Sequence, residues 1–174
     1  MNLFKFILII ILTKNACFSQ KQSNFYDFSQ NSNNSFNLNE ELYYKFSYGK
    51  SNKKGFLTGG YGSLKIMGVV KQDELIAYQI EAKGETTKIF SLFYKVQDYF
   101  KSYMDTSSLL SLEFRRFIQE GKYKKNQIAY FDRNSNKATI QNKKIDITNY
   151  TQDVISALYA CRTIPNEEII INDT

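Results

Sequence analysis

The chain has 174 residues, of which 23 are Lys or Arg and 17 are Asp or Glu, for a net charge of +6, and it contains neither histidine nor tryptophan. Without histidine there is no Ser-His-Asp or Cys-His nucleophile system, no His-bearing zinc site and no two-His iron triad. The two cysteines are Cys17 and Cys161. Cys17 falls in an N-terminal leader, so the mature chain keeps one cysteine and no internal disulfide.

That leader has a short basic start ending at Lys5 and an unbroken apolar run from Phe6 to Leu12. A break at Thr13-Lys14-Asn15 follows, then small residues up to Ser19. This is the order of a secretory signal peptide, with cleavage expected after Ser19. The run is too short to span a bilayer, which takes about 20 apolar residues. An exported protein of the periplasm or outer-membrane periphery is expected, and export removes nucleic acid as a partner. Loss of Lys5 and Lys14 lowers the net charge from +6 to +4, a value that solubility alone explains. Lipidation of Cys17 is not expected, because Lys14 stands where such sites carry leucine.

Residues 20–39 are rich in Asn, Ser and Gln and read as a flexible polar leader, with Phe36 or Leu38 opening the first strand. From residue 40 the chain reads as one β-rich domain up to residue 174. Two-residue alternation dominates. Leu42, Tyr44, Phe46 and Tyr48 share one strand face. Residues 49–62 read as a loop turning at Gly59-Gly60. That loop lacks the strand-loop-helix setting and the Gly-Lys-Ser/Thr ending of a phosphate loop. Strands follow over 63–70 and 75–83, the second aligning Ile76, Tyr78, Ile80 and Ala82. Ile89, Phe90, Phe93 and Tyr94 then take a helical spacing, with Thr86 or Thr87 as cap. Strands resume over 96–104, 112–119, 123–132 and 137–142, broken by turns at 105–108, Glu120-Gly121 and 133–136.

Thr148 to Arg162 reads as the main helix. Its stripe is Val154, Ile155, Leu158 and Tyr159, its cap Asn149 or Thr151, and Pro165 ends it. Asp153 and Arg162 suit the two ends of its dipole, and Cys161 is expected to pack in the core or on the helix face. Ile169 to Ile171 form a strand-like tail without a later partner.

Several stretches carry a family likeness. They are Leu42-Tyr-Tyr-Lys-Phe-Ser-Tyr-Gly49, Ala82-Lys-Gly-Glu-Thr-Thr87, Phe93-Tyr-Lys-Val-Gln-Asp98, Glu120-Gly-Lys-Tyr123 and Asp153-Val-Ile-Ser-Ala-Leu-Tyr-Ala-Cys-Arg162. In this order they resemble the exported bacterial domain of unknown function 3108, in a Bacteroidota-like form. The resemblance covers residues 40 to 165. It implies an envelope protein built on an antiparallel sheet with a connecting helix, and it supplies no catalytic residue. Asp98, Glu120, Gly121, Asp153 and Arg162 fall in the shared stretches without an assigned role. Family members continue into further strands past the helix, so the resemblance also implies a chain short at its C-terminus.

Each notable residue carries a structural and a functional reading. Asp98 among apolar neighbours fits a salt bridge to Arg115 or Arg116, with Arg116 favoured, or a carboxylate at a cavity mouth. Glu120-Gly121 fits a bulge or turn before it fits a catalytic acid. The lysine clusters at 50–54 and 122–125 fit a charged edge that blocks strand pairing, or a contact with lipid head groups or acidic glycans. The aromatic stripe Tyr44, Phe46, Tyr48, Tyr78, Phe100 and Phe114 fills a sheet-on-helix core or lines a cavity for an apolar ligand.

The expected fold is mainly β: a curved antiparallel sheet or incomplete barrel, with a short helix and one C-terminal helix packed on it. The expected function is a non-enzymatic binding or carrier module for an apolar or amphiphilic ligand, with that stripe as candidate lining. A structural or assembly component that completes its sheet with another envelope protein is the second reading. A carboxylate hydrolase ranks below both, because no nucleophile–base pair can be named. Neither a metal nor another cofactor is expected, and the protein is not expected to span the membrane.

Overall fold

Alternating burial sets the architecture, because a strand with one covered face must place every second side chain inward. A computed structural model of the chain describes residues 35–48 and 57–164. Eight strands run β1 (Glu41–Tyr48), β2 (Leu57–Gln72), β3 (Leu75–Thr86), β4 (Val96–Asp105), β5 (Ser111–Glu120), β6 (Tyr123–Asp132), β7 (Lys137–Ile140) and β8 (Lys143–Asp146). Each pairs antiparallel with the next, so the sheet is an open meander in chain order. Helix α1 (Lys88–Ser91) joins β3 to β4, and helix α2 (Val154–Cys161) follows β8. The mainly β fold with a helix packed on an open sheet is the one expected. Among the described residues, no helix is long and apolar enough to cross a membrane.

The register puts one side chain per strand into each cross-sheet row. Ile66, Ile80, Ser102, Phe114, Ala129 and Ile140 form one inward row, and Leu42, Leu64, Ala82 and Phe100 lie in the next. Helix α2 covers this face, with Ile155 and Tyr159 joining Leu64, Ile66, Ile80, Met104 and Leu109 in one apolar cluster. The helix buries Ile155, Ser156, Tyr159 and Ala160, whereas Val154 and Leu158 are exposed. The covered arc is therefore turned about one residue from the expected stripe, and Ser156 takes a buried place because it has polar partners beneath it. Cys161, expected to be packed, is exposed.

The helix begins later than Thr148. Asp153 is its cap, and the carboxylate accepts from the backbone N–H of Ile155 (2.8 Å) and Ser156 (3.0 Å). Upstream, Arg133 donates to the carbonyls of Ser111 and Thr151, and the Thr148 N–H donates to the Thr151 hydroxyl. Those bonds hold residues 148–152 out of a helix.

Phe36 does not open a strand. It is buried against Tyr78 and Tyr159, with ring centroids 5.4 and 5.0 Å away. Arg162 secures it, donating to both oxygens of Glu40 (2.6 and 2.8 Å) and to the Ser35 carbonyl, while stacking on Phe36 and Tyr159. The segment before β1 thus closes the core on the same side as α2.

Gly59 to Gly62 are strand, not turn; β2 starts at Leu57. A side chain at Gly60 would place its Cβ 2.5 Å from the Glu85 carbonyl oxygen, so only glycine lets β3 approach there. Residues 143–146 form a further short strand, β8, where none was expected. Its residues are exposed and two are lysines, so propensity is weak and pairing to β7 decides it. The apolar run 6–12 and the Ile169–Ile171 tail lie outside the described residues.

Candidate functional site

On the face opposite α2, two adjacent rows of the register lie side by side. Tyr43, Ser63, Lys83, Tyr99, Phe117 and Asn126 make one; Tyr61, Glu85, Gln97, Gln119 and Lys124 make the other. Together they line an open groove of about 880 Å³ across six strands, within the size range of small-molecule sites. Most of its exposed lining area is apolar, from Tyr43, Tyr61, Tyr99 and Phe117, and the lining carries both lysines and the acids Glu85 and Asp98.

Ring contacts and hydrogen bonds join the side chains at the centre of the groove. Tyr99 stands beside Phe117, centroids 5.9 Å apart, and the Lys83 amine lies 5.9 Å from the Tyr99 ring centre. Glu81 anchors the row from one register step away. Burial works against its charge, but hydrogen bonds from Tyr99 and from Lys101 (3.1 Å) hold its carboxyl below the ordinary value. The same burial, together with the bond to Glu81, pushes the Tyr99 phenol up. The ring is thus fixed by its hydroxyl, leaving the aromatic surface to face the groove. Chemically, the arrangement offers aromatic area beside the Lys83 and Lys124 ammonium groups and the Glu85 carboxylate.

By its match to the family model described as a protein of unknown function (DUF3108), over residues 41–172, the chain is placed. It belongs to the DUF3108 family. The match takes in all eight strands and both helices of this DUF3108 chain, and so both faces of its sheet. Comparison with curated proteins and with solved structures gives no match.

The expected aromatic stripe of this DUF3108 protein is divided by the structure, and it lies on the inner face, away from the groove. Tyr78, Phe100 and Phe114 pack against the core, the last two stacked at 6.1 Å. Tyr44 and Phe46 are 41% and 51% exposed on the half of that face beyond α2. The Tyr48 side chain lies outside the described residues. The groove side chains that sequence reasoning missed, Tyr43, Tyr61, Tyr99 and Phe117, occupy the opposite phase of the same strands. Their signal was available as a second aromatic alternation, one residue out of step with the first.

Asp98 and Arg116 do not pair. Arg116 donates to Gln127 on β6, and Asp98 instead accepts from the Gln119 N–H at 3.1 Å. Burial pushes the Asp98 carboxyl up to about 6, and neighbouring Glu120 adds to the rise. The two carboxyls therefore meet. Glu120 precedes a tight turn in which Gly121 has φ of 59° and the Tyr94 ring covers it. Asp153 and Arg162 are structural: one caps α2 and bonds the sheet, the other clamps Glu40. Among the described residues, no group of three or more His, Cys, Asp or Glu is placed to hold a metal ion.

The raised Asp98 value sets a pH dependence. The folded state holds this proton more firmly than the unfolded chain does, whose value is near 3.8. The contribution to stability is full below the unfolded value and is lost as pH rises through about 6. Asp98→Asn is expected to raise stability by about 1 kcal/mol at about pH 8, after allowance for solvent screening, and to leave it unchanged at about pH 3. Urea denaturation at the two pH values reads this, and an equal effect at both would refute it.

Proposed function

We propose that the chain is an exported, non-catalytic envelope protein whose groove binds an amphiphile with an anionic head. The observation that carries this reading is the cross-strand row Lys83–Tyr99–Phe117 on an uncovered sheet face. Its aromatic surface suits an acyl or other apolar chain, and Lys83 and Lys124 supply the charge that such a head group needs. The apolar run Phe6–Leu12 and the small residues before Gln20 support export. The occupant expected from the sequence is kept, an apolar or amphiphilic molecule, but its place moves to the other side of the sheet.

A dansyl-labelled fatty acid is the probe. Saturable fluorescence enhancement is expected with the parent protein. Phe117→Ser and Lys83→Ala should each weaken binding about tenfold, the scale of one side chain's apolar or charge contact. Tyr44→Ser, on the inner face, should leave it unchanged. Failure of the parent to bind, or equal loss with Tyr44→Ser, would overturn the reading.

A further inference from the structure

At the end of the sheet where β3 joins β4 and β5 joins β6, the chain presents apolar side chains straight to solvent. Leu92 and Phe93 are 84% and 85% exposed and Ile89 is 61% exposed. None of the residues of α1 is buried. This is not a loosely held loop. Thr87 caps α1, the Thr87 N–H donates to the Gly59 carbonyl at 2.9 Å, and the Thr87 hydroxyl donates to the Thr58 carbonyl. Thr86 and Ser91 share a hydrogen bond of 2.8 Å, and the Val96 N–H donates to the Thr86 hydroxyl at 3.0 Å. The polar side chains of the segment bind it to the sheet, and Ile89, Leu92 and Phe93 are left exposed. That is the reverse of an amphipathic helix packed on a core.

We infer that this tip, Ile89, Leu92 and Phe93, inserts into the surface of an anionic lipid bilayer. Three observations select that occupant. Lys88 and Lys95 flank the tip and Lys122 lies on the adjoining β5–β6 turn, all exposed; the Gly121 N–H donates to the Lys95 carbonyl at 2.7 Å and ties the two turns together. Lysines so placed draw the tip to anionic head groups while their stems lie along it. Tyr94 and Tyr123, beside the tip, are exposed, and such amphipathic rings favour a membrane interface. The tip is also too small for a stable protein partner. Three side chains bury roughly a few hundred Å², against about 800 Å² per partner in a standard interface. That area suffices for reversible seating on lipid. Of the nearby acids, Glu120 lies against Asp98, whose carboxyl burial pushes up, and Glu85 and Asp98 line the groove side, against the three lysines at the tip.

The groove row Tyr61–Glu85–Gln97–Gln119–Lys124 lies at this same end of the sheet. A tip seated on a bilayer would bring the groove next to the lipid. The inference does not rest on the groove reading, since its test uses no groove ligand.

The test is cosedimentation of the full chain with vesicles of phosphatidylcholine and phosphatidylglycerol, the parent and variants sharing the same N-terminus. Leu92→Ser with Phe93→Ser is expected to lower the partition coefficient at least about tenfold. Lys88→Ala with Lys95→Ala should lower it about fivefold per lysine, and only when phosphatidylglycerol is present. Because the chain has no tryptophan, Phe93→Trp makes a single reporter whose emission should move to the blue on adding vesicles. Equal sedimentation of the parent and the Leu92→Ser, Phe93→Ser variant would overturn the inference. So would an unshifted Phe93→Trp emission, or a loss of self-association in that variant without vesicle binding by the parent.

Discussion

Asp153→Ala is expected to destabilise the fold by about 3 kcal/mol, read as a lowered urea midpoint. One carboxylate oxygen caps α2 through Ile155 and Ser156; the other accepts from the hydroxyls of Ser102 on β4 and Ser111 on β5, each at 2.7 Å. Ser111 in turn accepts from the Asp153 N–H at 2.8 Å and shares a hydrogen bond with Ser156. All four side chains are buried. Losing a cap costs about 1 kcal/mol, and the buried Ser102 hydroxyl left without its acceptor costs about 1–3 kcal/mol more, whereas Ser111 keeps Gln152 and Ser156 as partners. A loss of that size is a large share of a domain's total stability. Asp153→Asn keeps the capping oxygen and turns an amide toward hydroxyls that can reorient, so about half the loss is expected. A change under about 1 kcal/mol for Asp153→Ala would show that the sheet, not this polar knot, holds the helix.

Phe36→Ala is expected to cost about 3 kcal/mol, the scale of a buried aromatic truncated in a core. The residue is 4% exposed and fills the space between Tyr78 and Tyr159. The loss should reach beyond the side chain. The Glu40–Arg162 clamp closes over the same rings, so limited proteolysis should cut ahead of Glu41 sooner in the variant than in the parent. An unchanged midpoint with unchanged proteolysis would mean that the segment before β1 contributes nothing to the fold.

The strands from Leu75 to Asp132 were legible because alternation is a local property: each inward residue announces itself by its neighbours two positions away. The α1 turn was legible for a similar reason, since Thr87 stands at its start as a cap. The rest depended on partners far along the chain. Gly59-Gly60 looked like a turn because glycine usually breaks a strand, but here β3 passes too close for any side chain. Thr148 looked like a helix start because Asn149 and Thr151 are capping residues, but Arg133 takes the Thr151 carbonyl and the cap falls to Asp153. Asp98 looked paired with Arg116 because both lie on neighbouring strands; the register instead sets Arg116 beside Gln127 and Asp98 near Glu120.

The candidate site was less legible than the fold. Two aromatic alternations run through these strands one residue apart, Tyr44, Phe46, Tyr78, Phe100 and Phe114 in one, Tyr43, Tyr61, Tyr99 and Phe117 in the other. Both phases satisfy the same period, so the pattern cannot say which of them a helix will cover.

From the amino-acid order alone came the two-residue period, hence an antiparallel meander, and the exclusion of histidine chemistry. Tertiary structure decided which side of that meander is core. The deciding contacts join residues about forty to more than a hundred positions apart, Ser102 and Ser111 to Asp153, Glu40 to Arg162. Such contacts exist only once the chain has closed on itself, and they place α2 over one aromatic set and leave the other facing an open groove.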